Sequence, residues 1–462
     1  MSDRLTAYLR GDRVGWFTGV GGAVQFEFDD EWRQGARRME LSLSLPKSRR
    51  THGGDAPITF LWNLLPDNAT VLERWGARFS VSPRNPMALL AHVGLDTAGA
   101  VQLAESDAPI LEGPEALEPI EVAEIAAHLR ELRSDPEAWF LPGHVGGYFS
   151  LAGAQSKFAL AARDAGWAVP TGRAASTHIL KPGIRGLQHS DLNEHLSLAA
   201  ASLLGLRAAA SRIERFEDET AIVVERYDRL LHGVDVERLH QEDLAQATAT
   251  HPASKYQNEG GPGIRDIVDV IRETRGRDVD DSVRTFLEAT IFNWAILGTD
   301  AHAKNYSILH DGRRGPGLAP LYDVATALPY DDLNTRRARL SMSFGRHYRV
   351  AEIEPRHIAQ EAIDAGLDAD WAIATAKRIV GGVADAYADA ASAAPLAEAD
   401  AAFAARITGR VRERAEQLTR ELDRPLRITA TQRPDGDAAQ PRNRDIGGPG
   451  NPGSFASPSA AK

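Results

Sequence analysis

Apolar positions open the chain in short runs. Leu5–Leu9, Val14–Phe17 and Ala23–Phe28 are divided by Gly11-Asp12 and Thr18–Gly22, which predicts a meander of strands. Leu41, Leu43 and Leu45 alternate with serines before Pro46, the pattern of a strand with one buried face. Phe60–Arg74 has helical spacing interrupted by Pro66, Met87–His92 predicts another short helix, and Gly99–Ala104 returns to strand character. In Pro119–Arg133, Val122, Ile125, Leu129 and Leu132 form one stripe, which predicts an amphipathic helix. Thr177–Lys181 reads as a strand ending in a lysine, residues 193–203 as a helix with Leu196, Ala199, Ala200 and Leu203 inward, and Ala221–Glu225 as a buried strand. Leu239–Asp243 reads as the opening of a further helix. Asp281 or Ser282 can cap a helix carrying Val283, Leu287, Ile291 and Trp294 on one face. Tyr306–Leu309 and Leu318–Leu321 then suggest a hairpin around Gly312–Gly317. From Glu354 to Leu422 the chain is Ala-rich and helical, with stripes such as Ile373, Ala376 and Val380.

At 462 residues the chain can bury a large core divided into two or three domains. Its 43% hydrophobic and 25% charged content are those of a soluble globular protein. With no cysteine, a disulfide framework, Cys-ligated zinc and a thiol nucleophile are excluded. The N-terminus lacks the apolar core of a signal peptide, and no apolar run approaches a membrane span, so a cytoplasmic protein is expected. The net charge of −11 is uneven, because Glu105–Glu137 carries ten Asp/Glu against Arg130 and Arg133. Such a segment is a wet surface or a docking face for a basic partner. The mildly acidic body argues against a large general nucleic-acid surface. After Arg424 the composition turns to Pro, Gly, Ser and Ala with little to bury, which predicts disorder.

The candidate chemistry gathers in Phe292–Asp323. Asp300 is followed by Asn305 five residues on, and Asp323 comes after the hairpin. A protein kinase uses such a set: the first Asp takes the acceptor hydroxyl's proton, and the Asn and second Asp hold Mg²⁺ on ATP. Upstream, the small residues of Tyr148–Leu160 sit between two strand-like segments and could approach phosphates with backbone N–H groups. Ser150 and Ser156 on that loop are candidate phosphoacceptors. Lys181 could neutralise phosphates and pair with Glu194, although a Glu near a helix start also satisfies the helix dipole alone. Asn63–Asn68 reads as a helix junction. Lys255-Tyr256 and Gly260–Gly263 form a loop of structural or substrate-contacting residues.

Taken in order, Ser-Leu-Ala-Gly-Ala-Gln, Thr-His-Ile-Leu-Lys, Asn-Glu, Val-Glu-Arg-Tyr-Asp-Arg, Leu-His-Gln-Glu-Asp, Lys-Tyr, Gly-Gly-Pro-Gly, Thr-Asp-Ala-His-Ala-Lys-Asn and Leu-Tyr-Asp resemble a HipA-family serine/threonine protein kinase. That family supplies the toxin of HipBA toxin–antitoxin pairs. The resemblance runs from Arg13-Val14-Gly15 to roughly Leu422 and implies a two-lobed, kinase-like α+β fold. Its implied divisions are an N-terminal α/β subdomain (1–105), an acidic helical connector (106–145), a nucleotide-binding part (146–245), a helical C-lobe (246–423) and the tail (424–462). It also implies ATP and Mg²⁺ as cofactors, with Asp300 as general base and Asn305 and Asp323 as metal ligands. For the nucleotide it implies Lys181, the loop residues Ala152, Gly153, Ala154, Gln155, Ser156 and Lys157, the hinge at Val224 and Glu225, and His302 and Lys304. Ser150 matches the family's autophosphorylated serine, whose modification ejects the loop and switches the toxin off. The implied partners are a HipB-like helix-turn-helix antitoxin dimer, operator DNA mainly through it, and a protein substrate such as glutamyl-tRNA synthetase, whose loss stalls translation and favours dormancy. Two positions depart from common patterns. Ser156 stands where the family often has an acidic residue, adding a second phosphoacceptor. Gly298-Thr299 precedes Asp300, and His302, not Lys, follows it by two.

Two other readings remain open. Asp300 and His302, with His178, His240 or Asp323, could be a metal-dependent hydrolase centre holding Zn²⁺ or Mn²⁺. The chain could also serve as a non-catalytic corepressor in an antitoxin–DNA complex.

Overall fold

The computed structural model describes residues 4–424 except 36–38, 106, 108–112, 114, 145–146, 164–165, 234, 275, 277, 312–314, 332–336 and 395. The tail expected to be disordered, and the tip of the expected 312–317 loop, lie outside the described residues. The N-terminal meander forms β1 (Arg4–Leu9), β2 (Asp12–Val20) and β3 (Ala23–Phe28), then α1 (Asp30–Gln34) and a two-residue β4 (Thr51–His52). α2 (Asp55–Leu64), α3 (Ala69–Phe79) and α4 (Pro86–Val93) lead to β5 (Val101–Ala104), which closes the sheet in the order β4-β3-β2-β1-β5. Pro66 falls between α2 and α3, as its missing N–H requires. Leu41–Leu45 is a turn and not the expected strand. Leu45 N–H donates back to the Ser42 carbonyl, and the buried Glu242 carboxylate takes the Ser42 hydroxyl at 2.5 Å and the Leu43 N–H at 3.0 Å.

The acidic segment is more than a helical connector. It gives β6 (Glu115–Ile120) and α5 (Val122–Ser134), and β6 forms the edge of a six-stranded antiparallel sheet. The other strands are β7 (Phe158–Arg163), β8 (Gly166–Gly172), β9 (His178–Lys181), β10 (Ser211–Phe216) and β11 (Glu219–Glu225), in the order β10-β11-β9-β7-β8-β6. α5 buries Ile125, Leu129 and Leu132, while its Arg130 and Arg133 pair with Asp218 and Glu219 at the β10–β11 turn. β11 shows why the sheet divides the molecule. Ala221 and Val223 join the core shared with the N-terminal sheet, and Ile222 and Val224 join the core of the helical lobe, as side-chain alternation dictates.

α6 (Ser190–Leu203) starts three residues before the expected 193. β12 (Arg229–His232) and β13 (Asp235–Arg238) make a hairpin. Residues 239–243 do not open a helix: β14 (His240–Asp243) pairs with β15 (Ser307–Asp311), and Asp243 then caps the single turn α7 (Leu244–Ala247). α8 (Ile264–Glu273) and α9 (Val279–Ile296) follow, and β16 (Gly315–Leu318) completes the β15 hairpin. After β17 (Arg339–Phe344) and β18 (His347–Arg349), α10 (Pro355–Asp364) packs on α11 (Ala369–Ala393), and α11 and α12 (Glu398–Leu422) pack with α6 and α9. The fold is α+β and kinase-like. No described helix is long and apolar enough to cross a membrane.

A buried ionic knot joins the N-terminal sheet region to the six-stranded sheet. Arg226 donates to Asp228 at 3.0 and 2.9 Å, to the Ser176 hydroxyl at 2.9 Å and to the Thr97 carbonyl at 2.7 Å. Arg229 reaches Asp96 at 3.0 Å and the Gly99 carbonyl at 2.8 Å. Although burial opposes it, Arg226 and Arg229 hold the Asp228 carboxyl down at about 2. Removing one partner of such a buried set leaves uncompensated charge, so Arg226→Met should cost about 3–5 kcal/mol. Urea unfolding at pH 7 reads this directly, and a loss below about 1 kcal/mol would show that the knot is not structural.

Candidate active site

α9 delivers the first carboxylate. The helix ends at Leu297 in the left-handed region (φ 57), and the Gly298 N–H closes on the Asn293 carbonyl at 2.7 Å. A Cβ at Gly298 would lie 2.2 Å from Asn293 Oδ1, so only glycine permits this close approach. The chain then turns through Asp300. The Asp300 carbonyl accepts from the His302 N–H at 2.8 Å and from Asn305 Nδ2 at 2.8 Å. With its nitrogen committed, Asn305 keeps Oδ1 for a cation. The β15–β16 hairpin returns the chain, the Tyr322 hydroxyl donates to the Lys304 carbonyl at 2.7 Å, and Asp323 follows at φ 57.

Lys181, at the end of β9, bridges Glu194 of α6 at 2.8 Å and Asp323 at 2.7 Å. Burial opposes its charge, but the two carboxylates hold the ammonium well above its ordinary range. Burial alone would raise the Asp323 carboxyl, yet Lys181 and then Lys157 keep it well below the usual range. Asp300 behaves differently. Burial pushes it up to about 6, against the pull of Lys255 and of the Tyr256 hydroxyl, which donates to Asp300 Oδ1 at 2.6 Å. One cleft thus holds a carboxylate kept ionised and a carboxyl poised near neutrality, the separation that acid–base work needs. An amide oxygen and a carboxylate are hard oxygen donors, so Asn305 and Asp323 fit Mg²⁺.

Ala152, Gly153, Ala154, Gln155 and Lys157 also line this cleft. Their loop does not lie between two strands as expected. Only β7 follows it, and its first half is held by bridges from Gly153 to Pro66 and from Ser150 to Thr97. Gly153 has φ 100, a region open to glycine, and its carbonyl accepts the Asp67 N–H at 3.1 Å. Lys157 Nζ donates to the Ala152 carbonyl at 2.7 Å, and burial followed by repulsion from Lys181 lowers its pKa to about 8. The two serines are elsewhere. Ser150 is fully buried with its hydroxyl on the Leu64 carbonyl at 2.7 Å, and the Ser156 hydroxyl donates to the Pro136 carbonyl at 2.7 Å. Neither lines the cleft, although Ser156 was expected to meet the nucleotide.

Val224 and Glu225 line the opposite wall with Ile179, Ala209 and Tyr227. The Glu225 N–H is already donated to the Ala210 carbonyl and the Arg226 N–H to Thr177, so these two amides are not open to a base. His302 lines the cleft as a buried ring that desolvation holds well below its ordinary pKa. Lys304 is spent on Asn63 Oδ1 at 2.8 Å and Asp243 at 3.2 Å. Sequence reasoning passed over Asn63 and Asp67 as a helix junction and left Lys255 and Tyr256 unassigned. Asp67 pairs with Lys255 at 2.8 Å, and despite burial Lys304 and Lys255 hold its carboxyl at about 2. Turn-rich polarity was the only local signal for these residues.

The hydrolase reading loses two of its candidate ligands. His178 bonds Thr177 and packs edge-on to Trp167, while His240 stacks on His310 and bonds the Leu41 carbonyl. Neither lines the cleft, and among the described residues no group of three or more His, Cys, Asp or Glu converges as a metal site.

Residues 5–104 match the family described as the HipA N-terminal domain, and residues 149–391 the HipA-like C-terminal domain. The chain is 36% identical over 370 residues to a protein named as a kinase, Y4mE, of Sinorhizobium fredii, covering 79% of this chain and 86% of that one. It is 28% identical over 422 residues to the serine/threonine-protein kinase toxin HipA of Shewanella oneidensis, covering 88% and 93%. A solved complex of the Shewanella oneidensis HipA, HipB and operator DNA contains a chain that superposes with a TM-score of 0.78 at 26% identity, covering 91% of this chain and 98% of that one.

Proposed function

The chain belongs to the HipA kinase family, and from that premise we propose that it is a serine/threonine protein kinase transferring the γ-phosphoryl group of ATP, with Mg²⁺, to a protein hydroxyl. The observation that carries this reading is the Lys181 ammonium bridging Glu194 and Asp323, in the same cleft as Asp300 and Asn305. Bound Mg-ATP supplies the transferable group and the cation that offsets its charge. Asn305 and Asp323 would hold the metal, Lys181 and the 152–155 backbone would face the phosphates, and Val224 with Tyr227 would wall the base. Asp300 accepts the acceptor's proton. The fold divides, on this reading, into the parts 1–105, 106–145, 146–245 and 246–423.

The same reading makes the chain a toxin that pairs with a HipB-like antitoxin, meets operator DNA mainly through it, and acts as its corepressor in the cytoplasm. The Shewanella oneidensis HipA–HipB–operator complex supports this. The protein acceptor on this reading is an aminoacyl-tRNA synthetase or another translation protein, with dormancy as the consequence. Self-inactivation would use Ser150 or Ser156. Ser150 must first leave its seat on the Leu64 carbonyl, whereas Ser156 need only release Pro136.

Intact mass before and after incubation with Mg-ATP, with fragmentation to place the phosphate, tests this. A phosphate gained at Ser150 in wild type and absent in Asp300→Asn is the expected result. A phosphate at Ser156 keeps the kinase and moves the switch. No phosphate gain together with no ATP binding overturns the reading.

A further inference from the structure

Resting on the kinase reading above, we propose that Lys255 is a catalytic cation of this cleft, meeting the oxygens of the transferring phosphoryl group beside Asp300, and that Asp67 is the positioning residue that aims it. The reaction needs positive charge at that point. As the acceptor oxygen bonds to phosphorus, the bond to the bridging oxygen breaks and its electron pair leaves with ADP. The acceptor's proton passes to Asp300, and negative charge spreads over the phosphoryl oxygens between them.

The loop that carries Asp300 does not provide that charge. Two residues on stands His302, a buried neutral ring. Lys304 is tied to Asn63 and Asp243, Lys181 to Glu194 and Asp323, and Lys157 is turned onto the Ala152 carbonyl. Lys255 comes from the loop after the Pro252–Ser254 turn and is set beside Asp300 by its neighbour, because Tyr256 donates its hydroxyl to Asp300 Oδ1. It lines the cleft and interacts electrostatically with Asp300 and Asp323 as well as Asp67. Its ion pair with Asp67 Oδ2 occupies one of its three N–H donors.

Asp67 is built to aim that ammonium. It lies in the link between α2 and α3, and its N–H is fixed to the Gly153 carbonyl of the phosphate-side loop. Its Oδ2 takes the Lys255 ammonium at 2.8 Å, while its Oδ1 has no hydrogen-bond partner and faces the Lys304 ammonium at 3.7 Å, so the hydrogen bond it makes to a cation is the one to Lys255. The N-terminal region thereby contributes a charge to the reacting centre from a distant part of the chain.

The test uses the full chain as wild type, Lys255→Met, Lys255→Arg and Asp67→Asn. Calorimetry measures the affinity for Mg-ATP and Mg-ADP, and transfer to a protein acceptor or to the chain itself is followed against pH. Losing one preorganised charge should lower kcat by about 10²-fold in Lys255→Met. Its ATP affinity should fall towards that of ADP, while ADP binding stays within about twofold. The acid limb of kcat/KM should move to higher pH, because Asp300 loses its largest pull downward. Lys255→Arg should recover most of the rate, and Asp67→Asn should lose roughly tenfold through misplacement. Wild-type kcat and an unchanged ATP-to-ADP ratio in Lys255→Met would overturn the proposal and leave the kinase intact. Absence of both nucleotide binding and transfer in wild type would overturn the kinase reading and this proposal with it, whereas if both nucleotides bind without transfer the affinity ratio alone decides whether Lys255 meets the terminal phosphate.

Discussion

Asp300→Asn loses phosphoryl transfer by roughly 10²–10⁴-fold and at pH 7 melts at a higher temperature than wild type. The first effect is loss of the group that, on the proposed reading, takes the acceptor's proton. The second follows from the same burial. Folding raises the Asp300 pKa from 3.8 to about 6, so between those values the folded protein holds a proton that the unfolded chain lacks. Stability from this group therefore grows as pH falls from 7 towards 4. At pH 7 the buried, ionised carboxylate costs on the order of 3 kcal/mol, which a neutral amide avoids while still accepting from Tyr256. Wild-type kcat/KM should fall below about pH 6 for the same reason, since that parameter reports the free enzyme. Melting curves at pH 5 and pH 7 decide the stability claim. If the variant is less stable than wild type at pH 7, Asp300 is not the strained group described here.

Asp323→Asn should reduce transfer by on the order of 10³-fold, the equivalent of several kcal/mol of lost charge stabilisation at the metal. Asn is the substitution to choose because Asp323 sits at φ 57, a region that asparagine tolerates and alanine resists. Lys181 keeps Glu194, so the fold is expected to remain. Nucleotide affinity should lose its Mg²⁺ dependence while metal-free binding is little changed. An undiminished Mg²⁺ effect in the variant would remove Asp323 from the metal site.

The parts of the cleft that could be read from the sequence are those whose geometry is local. Asp300 and Asn305 share one short turn, Asp323 follows one hairpin, and Lys181 meets Glu194 from the next element. Strand alternation and helical stripes in β1–β3, α5 and α9–α12 report burial on one face, which the sequence records directly. Asp67, Lys255 and Asn63 were not legible, because their partners are chosen by how the N-terminal region docks against the lobe behind it. The same cause explains two misread elements. Alternation over Leu41–Leu45 describes a turn equally well once the Glu242 carboxylate captures it, and the polar run 240–243 becomes a strand because β15 lies beside it. Ser150 was found as a residue but not as a buried one, since its seat is a carbonyl of α2.

The cleft wall that begins at Asn63 and ends near Tyr330 has a consequence for biosynthesis. A growing chain emerges in order, so the N-terminal sheet and its Asp67 link are made early, Lys181 and Glu194 next, and Asp323 last of the charged set. A product of premature termination between Glu194 and Asp323 would carry Lys181 and its glutamate but lack the carboxylate opposite. Its Lys181 would have one partner instead of two. Such chains lack one carboxylate of the proposed site, which is complete only when synthesis has passed the return of the β15–β16 hairpin.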